Sequence, residues 1–403
     1  MTSVAGSIPE LDFDIYSPEF LADPFPYYDQ MRNVGPIFRL PRYNVYGVSR
    51  YEDVQSVLRD FERFCSSGGA SIRNYFKEKP WRTPSPILET DPPVHTRARA
   101  VLTRILSPAA IARLKADFQA DASKLIDRLV AAGRFDAVKD LGEIFPVKVF
   151  PEAMGLPDAD RKMLLRYAQL VVAGFGPKNE FATRAEEGFD EVSKWLDRNI
   201  ERKALRPGSF GMQVYEAADA GLLTSEEAPL LVRSFLSAGL DTSIRGLSRV
   251  LLCLAQNPAQ WRLLSDNPSL SRAAFEEMLR YNSPAQNVWR TTTGPVEIGG
   301  QTIGKHEKVG VFLGAANRDP ERWENPDKYE INRKSVGHVG LGFGVHACVG
   351  QAVARLEGEI ILSTLASKVA VLEQDGPIVL RKEVGERGIE SIPLRIKLKT
   401  EAA

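Results

Sequence analysis

The sequence predicts a mainly α-helical protein with a small β lobe. Long segments carry apolar residues at the three- and four-residue steps of a helix, whereas runs rich in β-branched and aromatic residues are short. One segment illustrates the helical spacing, with apolar side chains at Ile111, Leu114, Phe118, Ala122, Leu125, Ile126 and Leu129. The 403 residues contain no internal repeat, low-complexity tract or Gly/Ser linker. We therefore expect one domain over residues 1–403.

The composition argues against several classes of protein. Lys and Arg together number 52, as do Asp and Glu, so the chain lacks the basic excess of a nucleic-acid-binding protein. The N-terminal residues form no basic or apolar leader, and no apolar run approaches the roughly 18 residues of a membrane span. The three cysteines, Cys65, Cys253 and Cys348, lack the spacing of a zinc site or disulfide framework. We expect a cytoplasmic monomer that binds neither nucleic acid nor membrane.

The N-terminal part begins with an arm and a short helix over residues 8–35. Two short β-type runs, residues 37–40 and 43–48, predict a hairpin. A helix is predicted over residues 51–60. Residues 66–90 are rich in Ser, Gly, Pro and Arg and predict a long loop of the kind that carries function.

The central part is predicted to be helical. Ser107 and Pro108 begin the amphipathic helix and Gly133 ends it. Thr224-Ser225-Glu226-Glu227 resembles a capping box, after which a helix runs to about Gln256, a length on the order of 45 Å. On this helix Ser234, Ala238, Thr242 and Arg245 recur at steps of four and three residues and are predicted to share one face, with Asp241 adjacent to it. Further helices are predicted at about 158–174, 183–204, 259–265 and 270–281, strands at 296–303 and 308–313, and irregular structure at 318–333.

A glycine-rich stretch near the C-terminus contains the most informative cysteine. Residues 341–350 read Leu-Gly-Phe-Gly-Val-His-Ala-Cys-Val-Gly and precede a helical pattern that begins near Gln351. Glycine lets a backbone approach a ligand closely, and a thiolate is both nucleophile and metal ligand. A helix start adds positive partial charge that stabilises an anionic sulfur. Cys348 is therefore a candidate metal ligand, with a buried and unreactive core cysteine as the alternative.

This stretch resembles the cysteine-ligand loop of the cytochrome P450 family, Phe-Gly-x-Gly-x-His-x-Cys-x-Gly, with Leu341 in place of the first Phe. Three further segments match family motifs in the same order: Ala-Gly-Leu-Asp-Thr at 238–242, the Glu-x-x-Arg pair of Glu277 and Arg280, and Ala-Arg-Leu-Glu at 354–357. The resemblance implies the cytochrome P450 fold. It also implies a haem b (iron protoporphyrin IX) whose iron is bound by Cys348, with O2 as co-substrate.

The resemblance assigns roles to residues around the haem. It implies that Asp241 and Thr242 deliver protons during oxygen activation, with Ser243 as a second hydroxyl, and that Glu277 and Arg280 form a structural ion pair. The implied cofactor-binding residues are His95, Arg99, Ala238, Gly239, Arg290, Phe343, Gly344, His346, Cys348 and Gly350. Among them, two histidines and two arginines match positions that bind the haem propionates; a solvated cation is the alternative for each.

Substrate recognition is expected to involve the long loop. An Arg fork with a nearby Ser hydroxyl suits a carboxylate, although a solvated loop arginine is the alternative. The segments 82–88 and 233–238 resemble those of bacterial P450s that oxidise para-substituted benzoates. The expected substrate contacts are Arg82, Ser85, Leu88, Val172, Phe175, Ser234, Ser237, Ala238, Ala285 and Val288. Three of these are small (Val172, Ala285 and Val288), which favours a pocket that also admits a longer para group or a phenylpropanoid acid.

We expect a haem-thiolate monooxygenase that inserts one O2-derived oxygen atom into a para-substituted aromatic acid, by O-demethylation or hydroxylation of a 4-methoxybenzoate-like substrate. No strand–GxGxxG–helix unit is visible, so electrons from NAD(P)H are expected through a ferredoxin reductase and an iron–sulfur ferredoxin. A patch including Arg104, Arg113 or Lys115 could receive the ferredoxin, with a solvated helix face as the alternative. The remaining alternatives are a peroxide-driven hydroxylase, a monooxygenase of another small hydrophobic substrate, and a non-catalytic haem-binding or gas-sensing protein.

Overall fold

Helices form most of the structure, a computed structural model that describes residues 7–156, 160–177, 183, 187–381 and 388–399. In chain order, α1–α14 are Pro18–Ala22, Phe25–Val34, Tyr51–Arg59, Val94–Ile105, Pro108–Ala132, Phe145–Met154, Arg161–Phe175, Phe189–Ile200, Phe210–Asp219, Glu227–Gln256, Pro258–Asp266, Ser271–Tyr281, Leu313–Ala316 and Gln351–Lys368. Single 3₁₀ or π turns lie at Pro41–Tyr43, Ala137–Gly142, Arg202–Ala204, Pro268–Leu270 and Gly344–His346.

The strands form a β lobe and smaller ribbons. In chain order, β1–β12 are Phe38–Leu40, Val45–Val48, Phe64–Cys65, Arg134–Asp136, Val288–Thr292, Val296–Ile298, Gln301–Ile303, Lys308–Val311, Val369–Gln374, Val379–Arg381, Gly388–Ser391 and Pro393–Leu398. The largest sheet has the order β1-β2-β8-β5-β3, in which β2 and β8 are parallel and the other pairs antiparallel. A three-stranded sheet has the order β4-β12-β9. The predicted mainly α fold with a small β lobe is confirmed.

The helix boundaries follow the local signals in the sequence. At the start of α10, the Glu227 N–H donates to Thr224 Oγ1 at 3.2 Å, and the Thr224 N–H donates to a Glu227 carboxylate oxygen at 2.9 Å. This reciprocal pair is the predicted capping box. The Ser107 side chain caps α5, which ends at Gly133 in the left-handed conformation (φ 71°), where glycine is favoured. Short-range signals therefore suffice to define both ends of α5 and the start of α10.

The prediction of one strand over residues 296–303 is wrong. The chain instead forms two antiparallel strands, β6 and β7, in which Ile298 pairs with Gln301. Gly299 and Gly300 between them have φ angles of 56° and 79°. A two-residue hairpin turn requires positive φ at its central residues, and Gly-Gly supplies it without steric strain. The glycine pair was thus a turn signal inside a run that otherwise looks continuous.

Four helices, α4, α6, α9 and α13, lay outside the sequence prediction. Helix α6 has Pro151 inside it and is buried on most sides, so it lacks the amphipathic spacing that marks a surface helix. Its residues join α5, α10 and α14 in the main hydrophobic core, which includes Phe118, Phe150, Leu251 and Ile361. Tertiary packing, rather than local pattern, therefore stabilises α6.

A buried ion-pair network organises the chain between α13 and the cysteine loop. Glu277, on α12 and fully buried, accepts two hydrogen bonds from Arg280, at 2.9 and 2.7 Å, and one from Arg333 at 3.0 Å. It also accepts from the Ser335 hydroxyl at 2.6 Å and the Glu330 N–H at 3.1 Å. The Arg280 guanidinium in turn donates to the carbonyls of residues 317, 326 and 328.

We predict that Glu277→Gln lowers the free energy of unfolding by about 3–5 kcal/mol, because it leaves two buried guanidiniums facing a neutral group. Urea denaturation monitored by circular dichroism would measure this. Glu330→Gln is the matched control: Glu330 pairs with Arg333 but its side chain is 43% exposed, so the expected loss is below about 1 kcal/mol. Equal losses in both variants would contradict the structural role of Glu277.

Candidate active site

A largely apolar cavity of about 270 Å³ lies between the middle of α10 and the loop that contains Cys348. Both sides contribute to its wall: α10 through Ser234 to Leu247, and the loop and start of α14 through Leu341 to Glu357. Its other walls are formed by Ile87, Leu88, Arg99, Leu102, Phe150, Phe275, Leu279, Pro284, Ala285, Val288 and Leu313. An enclosed apolar cavity with few polar groups is typical of a small-molecule or cofactor site.

Cys348 is held at the cavity by a tight backbone arrangement. Its N–H donates to the Leu341 carbonyl at 2.8 Å, which closes the loop, and Gly342 and Gly344 adopt φ angles of 72° and 70°. Gly350 directly precedes α14, and a Cβ atom at Gly350 would lie 3.9 Å from the Cys348 Sγ. Burial raises the pKa of the thiol, whereas the Gly350 amide and the Arg99 and Arg355 charges act in the opposite direction. Cys348 is half-buried, and its sulfur lies beside groups that favour the anionic form.

Four predicted cofactor contacts are absent from the cavity lining: His95 and Arg290, which lie beside it, and Phe343 and Gly344. Phe343 packs against the core of the β lobe, with the Arg59 guanidinium 5.4 Å from its ring centre. Gly344 lies against α3, where a Cβ atom would approach the Leu58 carbonyl oxygen to 2.5 Å. Phe343 and Gly344 support the loop on the side away from the cavity, because the turn that presents Cys348 to the cavity directs them to the opposite side.

Four basic side chains that the sequence placed together do converge beside the cavity. The His95 and His346 rings lie 4.2 Å apart between centroids, and the Nε2 atom of each is buried without a hydrogen-bond partner among the residues that the structure describes. Arg99 donates to the Ala347 carbonyl, and Arg290 is buried on β5. Burial lowers the pKa of His95 to about 4, that of Arg290 to about 10, and those of His346 and Arg99 below their ordinary values. The cluster is short of negative charge, with Asp91 4.0 Å from His346 as its acidic neighbour.

One face of α10 forms the wall opposite Cys348. Ser234, Ala238 and Thr242, which were predicted from their spacing to share a face, line the cavity together with Gly239. The helix is continuous here, and the Thr242 hydroxyl donates to the Ala238 carbonyl at 2.7 Å. The Phe150 ring packs directly onto Gly239, where a Cβ atom would come within 2.2 Å of it. Glycine is therefore required at this position for close packing.

Asp241 and Arg245 lie off this face, although Arg245 was predicted to share it. The Arg245 Nε atom donates to the Asp241 carboxylate at 2.6 Å, and both side chains are nearly buried. The two residues line a separate small pocket with Ser248 and Arg249 rather than the main cavity. The rotation of 3.6 residues per turn places positions 241 and 245 beside the 234–238–242 stripe.

A buried acid, Glu357, lies on the cavity wall and was not singled out as a site residue. One of its carboxylate oxygens accepts from the Ser243 hydroxyl at 2.6 Å, and the other is buried without a partner. Burial raises its pKa to about 8, against the effect of the Ser243 hydrogen bond. Glu357 is thus a neutral acid at neutral pH. Its motif position, 354–357, was recognised, but only the fold brings it to Ser243.

Comparisons with known proteins identify the family. A family model described as Cytochrome P450 matches residues 259–399. Over 392 residues the chain is 50% identical to Cytochrome p450 CYP199A2 from Rhodopseudomonas palustris, a match that covers 97% of this chain and 95% of that protein. The chain belongs to the cytochrome P450 family. It is also 32% identical over 408 residues to Cytochrome P450 107B1 from Saccharopolyspora erythraea, with 97% and 98% covered.

Solved P450 structures share the fold. That of CYP109Q5 from Chondromyces apiculatus superposes with a TM-score of 0.81 at 28% identity, covering 96% of this chain and 98% of that one. That of P450 CREJ in complex with (4-ethylphenyl) dihydrogen phosphate has a TM-score of 0.86 at 25% identity, with 96% and 99% covered. The protein is a P450 monooxygenase, and its expected cofactor is haem b with iron, with O2 as co-substrate. Over the ranges described above, no helix is both long and apolar enough to cross a membrane.

The cavity fits a haem. Cys348 offers its sulfur from one wall, and the apolar lining suits a porphyrin. The two histidine nitrogens without partners, together with Arg99 and Arg290, offer donors for two carboxylates. Buried cationic groups require anionic partners, and the propionates of haem would supply them.

A second cluster of buried donors surrounds Arg82, which is not part of the cavity lining but lies in the same loop as Ile87 and Leu88 of that lining. Its side chain is only 5% exposed, and its Nε, Nη1 and Nη2 atoms are buried without hydrogen-bond partners in the described part of the chain. The Tyr167 hydroxyl and the Arg233 Nε atom are likewise buried, with no hydrogen-bond partner among the described residues. Burial raises the pKa of Tyr167, and the Arg82 and Arg233 charges oppose this rise, which places the three groups close together. Arg233 also donates to the Thr83 carbonyl at 2.6 Å, so α10 is tied to the Arg82 loop.

The predicted substrate contacts divide into two groups. Leu88, Ser234, Ala238, Ala285 and Val288 line the cavity. The other five, Arg82, Ser85, Val172, Phe175 and Ser237, do not.

The members of the second group other than Arg82 have another local role. The Ser85 hydroxyl accepts from the Leu88 N–H at 3.2 Å, and the Ser237 hydroxyl donates to the Ser234 carbonyl at 3.1 Å. Phe175 packs against the main core and Val172 is buried in α7. The Trp81 ring, next to Arg82, lies against the same helix at Gly174, where a Cβ atom would come within 2.3 Å of it. These residues therefore set the position of the loop rather than the cavity surface.

We predict that Glu357→Gln changes how stability depends on pH. From about pH 5 to about pH 8 the folded protein keeps a proton on Glu357 that the unfolded chain, with a pKa of 4.5, has released. The native state then binds more protons, so this group lowers stability as the pH rises. A glutamine at position 357 does not titrate, so the variant is free of this pH-dependent loss of stability. The melting temperature of the variant relative to wild type should therefore increase between about pH 5 and about pH 7.5.

Thermal unfolding of the haem-loaded proteins at both pH values would test this. Glu359→Gln is the control, since Glu359 lies on the same helix but is 35% exposed and paired with Arg272 at 3.9 Å. A melting-temperature difference for Glu357→Gln that stays constant with pH would show that the acid titrates normally.

Proposed function

We propose that this P450 inserts one oxygen atom of O2 into a small para-substituted aromatic carboxylic acid, by O-demethylation or hydroxylation of 4-methoxybenzoate-like substrates. The observation that carries the proposal is the set of buried donors without partners at Arg82, Arg233 and Tyr167. Buried donors of this kind are costly unless a ligand accepts from them. A carboxylate is a natural acceptor, because it can take two parallel hydrogen bonds from a guanidinium.

The relation of these donors to the cavity supports an aromatic acid. Arg233 directly precedes Ser234, and Arg82 lies in the loop that continues to Ile87 and Leu88. Ser234, Ile87 and Leu88 line the cavity. An acid group bound at the donors would leave an apolar ring inside the cavity, facing α10 and Val288. The substituent para to the carboxylate is the part of such a ring that extends furthest towards Cys348. Positioning of this kind selects one site of oxidation.

The side chains facing that substituent support proton delivery from α10. The Thr242 hydroxyl lies on the cavity wall, and the neighbouring Asp241 carboxylate is held by Arg245. In our proposal the hydroxyl orients a proton at the reacting oxygen, and Asp241 replenishes it from the side of the helix away from the cavity. The cofactor that Cys348 and the four basic side chains would hold supplies the activation of O2.

The proposal includes electrons from NAD(P)H through a ferredoxin reductase and an iron–sulfur ferredoxin. Arg104, on α4, and Arg113 and Lys115, on α5, are exposed. Helix α4 abuts the cysteine loop, since Arg99 on the same helix donates to the Ala347 carbonyl. These cations would therefore lie near Cys348, where an acidic electron donor needs to bind.

The function can be tested by titrating the haem-loaded protein with 4-methoxybenzoate and with its methyl ester while following the haem spin state. We predict a shift with the acid and a much weaker one with the ester. In Arg82→Gln the acid should bind about 10- to 150-fold more weakly, because a hydrogen bond to a charged group is worth about 1.5–3 kcal/mol. Turnover with a ferredoxin system should then release the phenol and formaldehyde.

Lys79→Gln is the matched control, because Lys79 is an exposed cation of the same loop. Equal binding of acid and ester would contradict carboxylate recognition while leaving the monooxygenase assignment intact.

We also predict that Cys348→Ala abolishes the thiolate-type Soret band of the reduced carbon monoxide complex, because the substitution removes the proposed iron ligand. Difference spectra of the reduced protein would measure it. Cys253→Ala, which alters a buried cysteine elsewhere on α10, should retain the band. Retention of the band in Cys348→Ala would refute the ligand assignment.

A further inference from the structure

We infer that Glu89 determines which anions this P450 accepts, by restricting the Arg82 pocket to a ligand with a single negative charge. The inference rests on the proposed carboxylate recognition and adds to it a residue that controls selectivity. No feature of the sequence distinguishes Glu89, which follows Ile87-Leu88 in the long loop. Its importance comes from where its side chain lies.

Glu89 is a buried countercharge to Arg82. Its side chain is 1% exposed, and a carboxylate oxygen lies 3.5 Å from the Arg82 Nη2 atom. Both of its oxygens accept hydrogen bonds from neutral donors instead, one from the Tyr75 hydroxyl at 2.9 Å and the other from the Ser85 N–H at 2.8 Å. The position of the carboxylate is therefore set independently of Arg82.

This arrangement stabilises the Arg82 charge without occupying its donors. A buried guanidinium with no anion nearby would be strongly destabilising. Glu89 supplies that anion, yet all three Arg82 nitrogens remain without hydrogen-bond partners. The guanidinium is thus kept charged and ready to bind a ligand. A positioned cation with free donors is what recognition of an anion requires.

The charges around Arg82 set a limit on the ligand. Glu89 is the anion that faces the Arg82 guanidinium, 3.5 Å from its Nη2 atom, so a ligand bound there would bring its own negative charge close to this carboxylate. Arg233 on α10 and the buried Lys308 and Arg73 are further cations nearby, and Asp197 is an exposed acid on α8. Glu89 therefore opposes a second negative charge on the ligand.

A carboxylate and an aryl phosphate differ in negative charge, the property of the ligand to which Glu89 would respond. Both are acceptors that suit a guanidinium, but a phosphate monoester carries about −1.5 to −2 charge at neutral pH and a benzoate carries −1. The second charge of the phosphate would face the Glu89 carboxylate in a buried site, where repulsion is weakly screened. Glu89 therefore favours the monoanion.

The test compares 4-ethylbenzoate with 4-ethylphenyl phosphate, measured by calorimetry on the haem-loaded protein at about pH 7.5, above the second ionisation of the phosphate. Wild type should prefer the benzoate. Glu89→Gln preserves the shape and the contacts to Tyr75 and Ser85 but removes the charge, so the affinity ratio should move towards the phosphate by about tenfold. Glu191→Gln, at an exposed acid on α8, should leave the ratio unchanged.

A measurement on wild type keeps the inference testable if Glu89→Gln does not fold. The affinity for 4-ethylphenyl phosphate should fall as the pH rises through about 6, where the ligand gains its second charge. The affinity for 4-ethylbenzoate, which is ionised throughout, corrects for titration of the protein. Equal affinity for the singly and doubly charged phosphate would overturn the inference.

The outcomes separate this inference from the proposed function. If the benzoate binds, its methyl ester does not, and Glu89→Gln leaves the ratio of benzoate to phosphate affinity unchanged, then carboxylate recognition stands and the role of Glu89 is refuted. If acid and ester bind equally, the proposed function itself fails. A tenfold shift in Glu89→Gln with no shift in Glu191→Gln would support both.

Discussion

The geometry of the site depends on one buried carboxylate, that of Glu277. It binds Arg280 on its own helix, and Arg333, Ser335 and the Glu330 N–H on the irregular segment that leads to the cysteine loop. That segment contains turns but neither helix nor strand, so these charged contacts help to determine its course. Because Cys348 follows it closely in the chain, the ion-pair network fixes the wall of the cavity from which the sulfur emerges.

Buried charge is distributed unevenly around the cavity. Basic groups short of partners occupy two regions, the His95–His346 cluster and the Arg82–Arg233 cluster, while the acid on the wall, Glu357, is neutral. Each cationic region therefore has a matching demand for an anion: the propionates of a haem in the first region, and a substrate acid in the second. Two bound molecules would complete the electrostatics that the polypeptide leaves unbalanced.

Local sequence signals predicted the parts of the structure that depend on neighbouring residues. The capping box at Thr224, the stop at Gly133 and the glycine turn before Cys348 all act within a few residues. The spacing of Ser234, Ala238 and Thr242 likewise predicted a shared helix face. The same reasoning placed Arg245 wrongly on that face, because the 3.6-residue helical repeat rotates position 245 beside it. It also missed the Gly299-Gly300 hairpin, which depends on the turn formed by the two glycines.

Long-range packing set the features that the sequence could not reveal. The pairing of Glu357 with Ser243 joins residues 114 positions apart, and the Phe150 ring reaches Gly239 from another helix. Arg82 was recognised as a candidate carboxylate ligand, but its burial beside Glu89 and Tyr167 depends on how the loop folds against α7 and α10. From the sequence alone, a solvated loop arginine was the alternative to a carboxylate ligand at Arg82.

The contact between Trp81 and Gly174 has a consequence for how this enzyme could diversify. The indole lies where any side chain at position 174 would need to be, and it is the immediate neighbour of Arg82. A larger residue on α7 would displace the loop and move the guanidinium without altering a single atom of the cavity wall. Related enzymes could therefore acquire new substrate ranges through mutations outside the pocket, and directed evolution that varies only pocket residues would never sample them.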